Sequence, residues 1–295
     1  MPSLSVSALS LLFRLTRKRT MVTAERARKR IVAPKADPTP PSVIVGERRV
    51  TRRTVGGFDV YTVLPAGDLV PERAVFYVHG GAYVSSITPW HWRLIMWMAD
   101  RGLRVEVPLY GLAPKYTHRD AFPFLEQVYR ELSTDVPVER TAFAGDSAGG
   151  GLALALAQAI PDLGLSRPGR MVLIAPCTDV TMTNPGIAEV EPLDPWLASV
   201  GLLECARSWA GGDPLSDPRL SPLHGPVENL PPTDVFVGTH DLLLPDLRLL
   251  RDRMVEVGTP VTLVEEPGAF HVYPLVPCPE GRRARAQILD VLGRL

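Results

Sequence analysis

The chain is poor in cysteine, and the few cysteines it has are badly placed for cross-links or metal binding. Cys177, Cys205 and Cys278 are three in number and widely spaced, with no Cys-x-x-Cys pair and no Cys/His cluster. A disulfide framework and a metal site are therefore not expected. The pattern favours a reducing, cytoplasmic setting in which the thiols serve as small buried apolar groups.

The sequence also lacks an excess of charge of either sign, since Lys+Arg and Asp+Glu number 32 each among 295 residues. Nucleic acids and anionic surfaces are bound mainly through clustered positive charge, so the overall balance does not predict either as the main partner. A hydrophobic content of 45% and a charged content of 22% are typical of an ordinary globular protein. A small, neutral, apolar substrate fits this composition better.

No apolar run in the N-terminal region is long enough to span a bilayer. The stretch at 3–15 (SLSVSALSLLFRL) is too short, and the basic run at 14–19 follows it instead of preceding it, unlike a secretory signal. Stable membrane insertion is not expected, although a membrane-surface role remains as an alternative. Four apolar residues recur at helical spacing and predict an amphipathic helix that lies on the protein: Leu4, Ala8, Leu11 and Leu15.

A proline-rich stretch at 34–41 (PKADPTPP) separates the N-terminal helices from the rest of the chain. Proline cannot continue a helix or an interior strand, so this stretch reads as a linker, and we divide the chain into cap helices with linker at 1–42 and a main domain at 43–295. In the main domain, short apolar runs alternate with helical patterns, which predicts an α/β fold with a mostly parallel sheet covered by helices on both faces. An insertion at about 177–220 interrupts the alternation and is expected to complete a helical cap above the ligand-binding edge of the sheet.

The segment Gly145-Asp146-Ser147-Ala148-Gly149 matches G-x-S-x-G between a predicted strand at 141–144 and a predicted helix at 148–160. In this motif a serine occupies a strained turn that lifts its hydroxyl out of the sheet. The residues two positions away on either side must be glycine, because a side chain there would collide with neighbouring backbone. Ser147 is therefore the candidate nucleophile, and the alternative is a flexible glycine loop at a helix start.

A second glycine-rich segment, His79-Gly80-Gly81-Ala82, directly follows the predicted strand at 74–78. Consecutive glycines at this place allow backbone amides to turn towards a developing oxyanion. A phosphate-binding loop would need a different glycine pattern that opens a helix. We assign Gly80, Gly81, Ala82 and Ala148 to an oxyanion hole, and we interpret His79 as a structural histidine that holds its loop.

Six motifs in a fixed order resemble those of the hormone-sensitive-lipase-like esterases of the α/β-hydrolase superfamily. They are H-G-G-A-Y at 79–83, Y-x-L-A-P at 110–114, G-D-S-A-G-G at 145–150, S-P-L at 221–223, G-x-x-D-x-L at 238–243 and a late histidine at 271. The resemblance implies an α/β-hydrolase fold with a helical cap and the hydrolysis of esters with short to medium acyl chains. Two positions depart from the family pattern: Ala82 replaces the third glycine of H-G-G-G, and His271-Val272-Tyr273 replaces H-G-F. An amide donor tolerates the first change, and the second is expected to reshape the local pocket.

The acid and the base follow from the chain order Ser, acid, His, with the last two on loops after late strands. Asp241 follows the predicted strand at 233–237, and His271 follows the one at 260–265. Asp246 is a rival acid, but it falls in the first turn of a helix, where a negative charge is favourable for its own sake. His240 is a rival base, but it shares a strand end with the acid and would leave His271 without a role.

The implied reaction is acyl transfer from an ester to Ser147 and then to water, with His271 as base and Asp241 as its orienting acid. No metal or organic cofactor is expected. An amide, carbamate or lactone hydrolase of the same fold remains an alternative, as does a non-catalytic ligand-binding protein, and a homodimer is expected from the family alone. Aromatic residues near the motifs are candidates for the substrate pocket: Tyr83, Trp90, Trp92, Trp196, Trp209 and Tyr273.

Overall fold

Eight strands form the central sheet of the computed structural model, which describes residues 2–295. In chain order they are β1 (Arg49–Val55), β2 (Phe58–Leu64), β3 (Ala74–Val78), β4 (Arg104–Pro108), β5 (Thr141–Asp146), β6 (Arg170–Ile174), β7 (Thr233–Gly238) and β8 (Val261–Glu266). They lie side by side in the order β1-β2-β4-β3-β5-β6-β7-β8. β1 pairs with β2, and β2 with β4, in antiparallel fashion, whereas every pair from β4 to β8 is parallel. The prediction of a mostly parallel sheet is confirmed.

The burial of the strands follows their sequence patterns. Every residue of β3, β5 and β7 is buried, as expected of short continuous apolar runs that helices cover on both faces. β1, at the edge of the sheet, exposes most of its residues and carries arginines instead. A parallel sheet brings the carboxyl ends of its strands to one edge, and that edge is where ligands bind in folds of this class.

Ten helices surround the sheet in the described part of the chain. They are α1 (Leu4–Leu15), α2 (Ala24–Val32), α3 (Ser42–Val45), α4 (Pro89–Asp100), α5 (His118–Asp135), α6 (Ser147–Ala159), α7 (Ile187–Val190), α8 (Ser199–Ala210), α9 (Leu244–Glu256) and α10 (Pro279–Leu292). The last helix, α10, begins at Pro279. The Cys278 sulfur accepts a hydrogen bond from the Gly281 amide, and Pro279 occupies the first turn, where a missing N–H costs nothing.

The N-terminal segment and the β6–β7 insertion pack against each other. At Gly201 of α8, an added Cβ would lie 2.5 Å from the Met21 carbonyl oxygen, so only glycine permits this approach. An ion pair between Arg28 of α2 and Glu204 of α8, 2.7 Å apart, spans the same contact. Residues from two distant parts of the chain thus form one layer.

The orientation predicted for α1 is wrong in one respect. The helix lies on the protein, but through Val6 and Phe13, which are buried. Both ends are tied down as well, because the Ser3 amide donates to Glu280 and Arg14 donates to the carbonyls of Pro192 and Leu193. The predicted contact stripe faces outwards instead: Ala8 is exposed, and so are Leu4 (90%), Leu11 (61%) and Leu15 (52%). No helix within residues 2–295 is long and apolar enough to cross a bilayer.

Candidate active site

Ser147 lies at the junction of β5 and α6 with a φ of 51°, in the left-handed region that side chains rarely adopt. The flanking glycines explain how the turn closes. An added Cβ would lie 2.2 Å from the Val78 carbonyl oxygen at Gly149, and 2.8 Å from the Gly149 carbonyl carbon at Gly145. The backbone therefore excludes larger residues at both places, for the steric reason that the sequence suggested.

Three side chains that are distant in sequence meet at the carboxyl edge of the sheet. The Ser147 Oγ lies 2.9 Å from His271 Nε2, and His271 Nδ1 lies 2.9 Å from Asp241 Oδ2. Asp241 lies in the turn after β7 and His271 in the turn after β8. Because β5, β7 and β8 are parallel, their carboxyl ends reach the same edge of the sheet and bring these residues close to Ser147. Both distances are within hydrogen-bond reach.

The surroundings of the imidazole favour its charged form. Burial lowers the pKa of His271, but the carboxylates of Asp241, Asp194 and Asp146 outweigh burial, so that the pKa is raised above 6.5. Asp241 is fully buried, and its Oδ1 also accepts a hydrogen bond from the Leu243 amide. A buried, oriented carboxylate stabilises an imidazolium that forms next to it.

The structure separates the rival residues from this cluster. Asp246 bonds to the Asn184 side chain, 2.8 Å away, and burial raises the pKa of Asp246 to about 6. The His240 side chain is partly exposed and makes no hydrogen bond to any group in residues 2–295. Neither side chain forms a hydrogen bond to Ser147 or His271.

Three of the four amides assigned to the oxyanion hole are free, two in the glycine-rich loop after β3 and one in the elbow. The N–H groups of Gly81, Ala82 and Ala148 have no acceptor within the described residues. Ala82 and Ala148 line the same cavity as Ser147. Gly80 is a correction, because its N–H donates to Asp146 Oδ1 at 3.0 Å and is not free for a ligand.

Asp146 holds this loop in place. Besides the Gly80 amide, its carboxylate bonds to the Tyr77 hydroxyl at 2.7 Å and to His91 Nε2 at 3.1 Å. Burial raises the pKa of Asp146, but these partners, with His91 first, outweigh it and leave the pKa below the usual value. Motif position alone did not reveal Tyr77 or His91, since neither belongs to the glycine-rich signatures.

His79 packs within the glycine-rich loop, away from the Ser147 hydroxyl's hydrogen bond to His271. Its ring stacks on Tyr110 with the centroids 4.7 Å apart, and its Nδ1 lies 2.7 Å from the Gly80 carbonyl oxygen. The Tyr110 hydroxyl donates to the His79 carbonyl at 2.9 Å. Burial lowers the pKa of His79 to about 4, so the ring is neutral at neutral pH.

A narrow cavity of about 10 Å³, roughly the space of one water molecule, opens beside Ser147. Its walls come mainly from the loop after β3, the insertion and α8. The lining residues are Ala82, Tyr83, Ser147, Ala148, Cys177, Val180, Met182, Leu202, Cys205, Ala206 and Leu243. Two of the three cysteines therefore face the cavity, which the sequence did not indicate. A larger groove, lined by paired arginines and acids along β1 and α5, does not include Ser147.

Of the aromatic candidates, Tyr83 alone lines this cavity. Trp209 stacks behind Tyr83 with centroids 4.8 Å apart, and Trp92 and Tyr273 are buried in the core. Trp196 lies against the His271 ring at 6.0 Å, and Trp90 packs on Trp196 at 6.2 Å. The placement of Trp209, Trp92 and Tyr273 corrects the expectation for them, because aromatic rings fill core volume more often than they face a ligand.

The structure also reveals a buried acid that sequence reasoning missed. Asp194, in the insertion, accepts hydrogen bonds from the amides of Trp196 and Leu197 and, at 2.8 Å, from the Leu242 amide beside the Asp241 side chain. Burial, followed by the negative charge of Asp241, raises the pKa of Asp194 to about 6. The insertion is thereby bonded directly to the loop that carries Asp241.

Comparison with known proteins agrees with this geometry. A family model described as the alpha/beta hydrolase fold matches residues 75–275. The chain belongs to the α/β-hydrolases. A 237-residue stretch is 33% identical to an acetyl-hydrolase of Streptomyces hygroscopicus and covers 78% of each protein.

Solved structures of esterases resemble this α/β-hydrolase along nearly its whole length. A bacterial esterase of the hormone-sensitive lipase family superposes with a TM-score of 0.83 at 26% identity, over 100% of this chain and 99% of the other. The crystal structure of the esterase EstE5 soaked with p-nitrophenyl butyrate superposes with a TM-score of 0.84 at 26% identity, over 99% of this chain and 98% of the other. The resemblance to hormone-sensitive-lipase-like esterases is confirmed, and the chain is an esterase/lipase-type hydrolase.

Proposed function

We propose that the chain hydrolyses carboxylic esters of short to medium acyl length with a catalytic triad of Ser147, His271 and Asp241. The observation that supports this most directly is the unbroken pair of contacts from the Ser147 Oγ through the His271 ring to Asp241, each 2.9 Å long. Contacts of this length are needed for proton transfer in the first step.

In the proposed reaction, the Ser147 Oγ attacks the ester carbonyl carbon while His271 Nε2 takes its proton. The tetrahedral intermediate collapses, the alcohol leaves with the proton from His271, and the acyl group remains on Ser147. Water then attacks the acyl-enzyme by the same route and releases the acid. Asp241 holds the imidazole in the tautomer with Nδ1–H, which leaves Nε2 free to accept.

The free amides of Gly81, Ala82 and Ala148 are the proposed donors to the oxyanion. In comparable sites the loss of one donor costs roughly 3–4 kcal/mol of transition-state stabilisation. The Asp146 network fixes the loop that carries two of these donors, so the hole needs little reorganisation when charge develops.

The cavity argues for a small acyl group. A volume of about 10 Å³ holds about one water molecule, so any acyl group must displace side chains that line the cavity, and a short one displaces the fewest. Met182 and Leu202 of the insertion line the cavity, so longer chains require this part of the insertion to move.

We further propose that residues 1–42 and the insertion at about 177–220 act as one cap over residues 43–295. The support is the close packing of Met21 on Gly201 and the bond from Asp194 to the Leu242 amide. A cytoplasmic location is proposed because all three cysteines are buried and unpaired. A homodimer remains a prediction.

The decisive experiment combines a fluorophosphonate probe with p-nitrophenyl butyrate. The wild type is expected to be labelled and active, and Ser147→Ala is expected to lose labelling and at least roughly 10⁴-fold in kcat. Ser133→Ala, which removes a hydroxyl from α5, is the matched control and keeps both. Robust turnover by Ser147→Ala would identify another nucleophile, and inertness of the folded wild type towards all esters and the probe would favour a binding protein.

The acyl preference is measured with p-nitrophenyl esters from acetate to palmitate. We expect kcat/KM to be highest for esters with short acyl chains and to fall as the acyl chain lengthens, because a longer one displaces more of the side chains that line the cavity. Equal rates for amide, carbamate or lactone substrates would assign the same site to that alternative chemistry.

A further inference from the structure

Helix α1 presents an apolar surface that nothing in residues 2–295 covers. Its outward residues are spaced so that they share one side of the helix, about 100° wide at 3.6 residues per turn, opposite the buried Val6 and Phe13. We call this surface the outer stripe, and it consists of Leu4, Ala8, Leu11, Leu12 and Leu15.

The segment around the outer stripe is strongly basic. Residues 2–36 contain nine Lys and Arg and a single acid, Glu25, although the whole chain is neutral. Two of the cations, Arg28 and Lys29, pair with Glu204 and Glu25. Three of the arginines are exposed and form no salt bridge with any carboxylate in residues 2–295: Arg17, Arg19 and Arg26. Arg14 is exposed too, but both of its terminal nitrogens donate to backbone carbonyls of the insertion.

We propose that the outer stripe and these three arginines, Arg17, Arg19 and Arg26, dock the protein on an anionic lipid surface. An apolar helix face followed in the chain by exposed cations combines the two attractions that hold interfacial helices, burial of side chains at the acyl boundary and pairing with lipid phosphates. The anchoring of α1 at Ser3 and Arg14 presents the stripe already formed, so docking needs no folding of the helix.

A second copy of the chain fits this surface less well. A two-fold dimer places the same patch on both partners, so the unpaired arginines of one copy would approach those of the other. Nothing acidic lies in the segment to offset them except Glu25, which already pairs with Lys29.

Docking by this face would place the proposed active site near the lipid. Phe13, on the inner side of α1, contacts Phe270 with ring centroids 5.2 Å apart, and Phe270 precedes His271. Roughly one helix diameter, about 10 Å, therefore separates the outer stripe from the residues beside the proposed base. The inference concerns location, and it stands whether or not the site cleaves esters.

The test is flotation with vesicles of phosphatidylcholine alone and with 30% phosphatidylglycerol. The wild type is expected to float with the anionic vesicles at low salt and to bind the neutral ones at least tenfold more weakly. Leu11→Ser/Leu15→Ser is expected to lower binding to anionic vesicles about tenfold or more, and Arg19→Gln/Arg26→Gln by a similar factor.

Matched controls carry the same changes elsewhere on the surface. Leu249→Ser/Val255→Ser alters exposed apolar residues of α9, and Arg101→Gln/Arg140→Gln removes two cations near the opposite edge of the sheet. Both are expected to bind like the wild type, and circular dichroism and hydrolysis of soluble p-nitrophenyl acetate check that every variant is folded.

Failure of the wild type to float with anionic vesicles would overturn the proposal, and so would equal losses in the test and control variants. A dimer in analytical ultracentrifugation that Leu11→Ser/Leu15→Ser converts to a monomer would show that the stripe binds a second copy instead. Unchanged acetate hydrolysis together with lost flotation would support docking independently of the catalytic assignment.

Discussion

The edge of the sheet around Ser147 and the N-terminal helix α1 differ in how firmly neighbouring groups fix them. At the sheet edge, Asp146 alone bonds to three groups from two other elements, and several residues keep unfavourable backbone angles. α1 has a relaxed backbone and exposes a row of leucines. Strained conformations persist only where surrounding contacts over-determine them, and such places concentrate at functional sites.

Two of the strained residues stand where the family pattern has glycine. Ala82 has a φ of 54° and Val272 a φ of 48°, both in the left-handed region. The expectation that alanine is tolerated because only its N–H is used therefore omits a conformational cost, roughly 1–2 kcal/mol for a residue with a side chain. Val272 is buried, so packing contributes to offsetting its cost, whereas Ala82 is only partly buried and lines the cavity.

The largest effect is expected from a substitution of Asp241, the proposed acid of the triad at the sheet edge. Asp241→Asn is expected to lower kcat by roughly 10⁴-fold, because the amide favours the wrong tautomer of His271 and no longer stabilises its charge. Asp246→Asn is the control and should change kcat less than tenfold. Steady-state kinetics with p-nitrophenyl butyrate measure both, and the reverse ranking would show that the acid was misassigned.

α1 is expected to depend on one buried ring. Phe13→Ala should remove contacts with Trp196 and Phe270, at 4.6 and 5.2 Å, and destabilise the docked helix by about 3 kcal/mol. Leu12→Ala, on the exposed side, should change stability by less than about 0.5 kcal/mol. Hydrogen exchange across residues 4–15 measures the difference, and equal protection in the two variants would mean that other contacts hold the helix.

Asp194 lies between the two regions and should have an intermediate effect. Asp194→Asn would turn a side-chain NH₂ group towards one of the backbone N–H groups that now donate to the carboxylate. The lost hydrogen bond should lower the stability of this contact by about 1–3 kcal/mol and lower kcat/KM about tenfold. Asp162→Asn, in an exposed loop, should leave the rate unchanged.

The pH profile tests the same residue. Because the pKa of His271 is raised above 6.5, activity in the wild type should be lost as the pH falls through a midpoint above 6.5. Asp194→Asn removes one of the carboxylates that raise this pKa, so the midpoint should move to lower pH. An unchanged midpoint would restrict Asp194 to a purely structural role.

The smallest expected effect concerns Ala82. Ala82→Gly relieves the left-handed strain but adds freedom to the unfolded chain, so the net gain in unfolding free energy should be at most about 1 kcal/mol. Ala153→Gly, inside α6, should lose roughly 1 kcal/mol or more. Thermal unfolding of both variants checks the sign, and destabilisation by Ala82→Gly would show that the methyl group packs usefully.

The sequence was sufficient to predict the fold class and which residues meet at the sheet edge. Parallel strands impose this meeting, so motif order fixed the positions of Ser147, Asp241 and His271 before their side chains could be seen. Whether they catalyse remains for experiment. The hydrogen bonds of the Gly80 N–H and of Asp194 could not be predicted, because three-dimensional packing determines their partners and no local sequence pattern indicates them.

Helix α1 shows a different limit. Periodicity identifies which side chains share a face, but it does not tell which face turns inwards. Here Phe13 and Val6 are buried in place of four leucines, because the Phe13 ring packs against an aromatic cluster. The cluster consists of Trp90, Trp196 and Phe270. The leucines on the opposite side of the helix remain exposed to water, so their burial adds nothing to the stability of the fold.

The uneven distribution of charge has a consequence for how the protein is handled. With nine cations and one acid in residues 2–36, the remaining residues carry an excess of eight acids, although the sequence isoelectric point is about 7.0. Such a molecule has a large electric dipole moment while its electrophoretic mobility near pH 7 is close to zero. A cation-exchange resin should therefore retain it at its own isoelectric point, bound by one end.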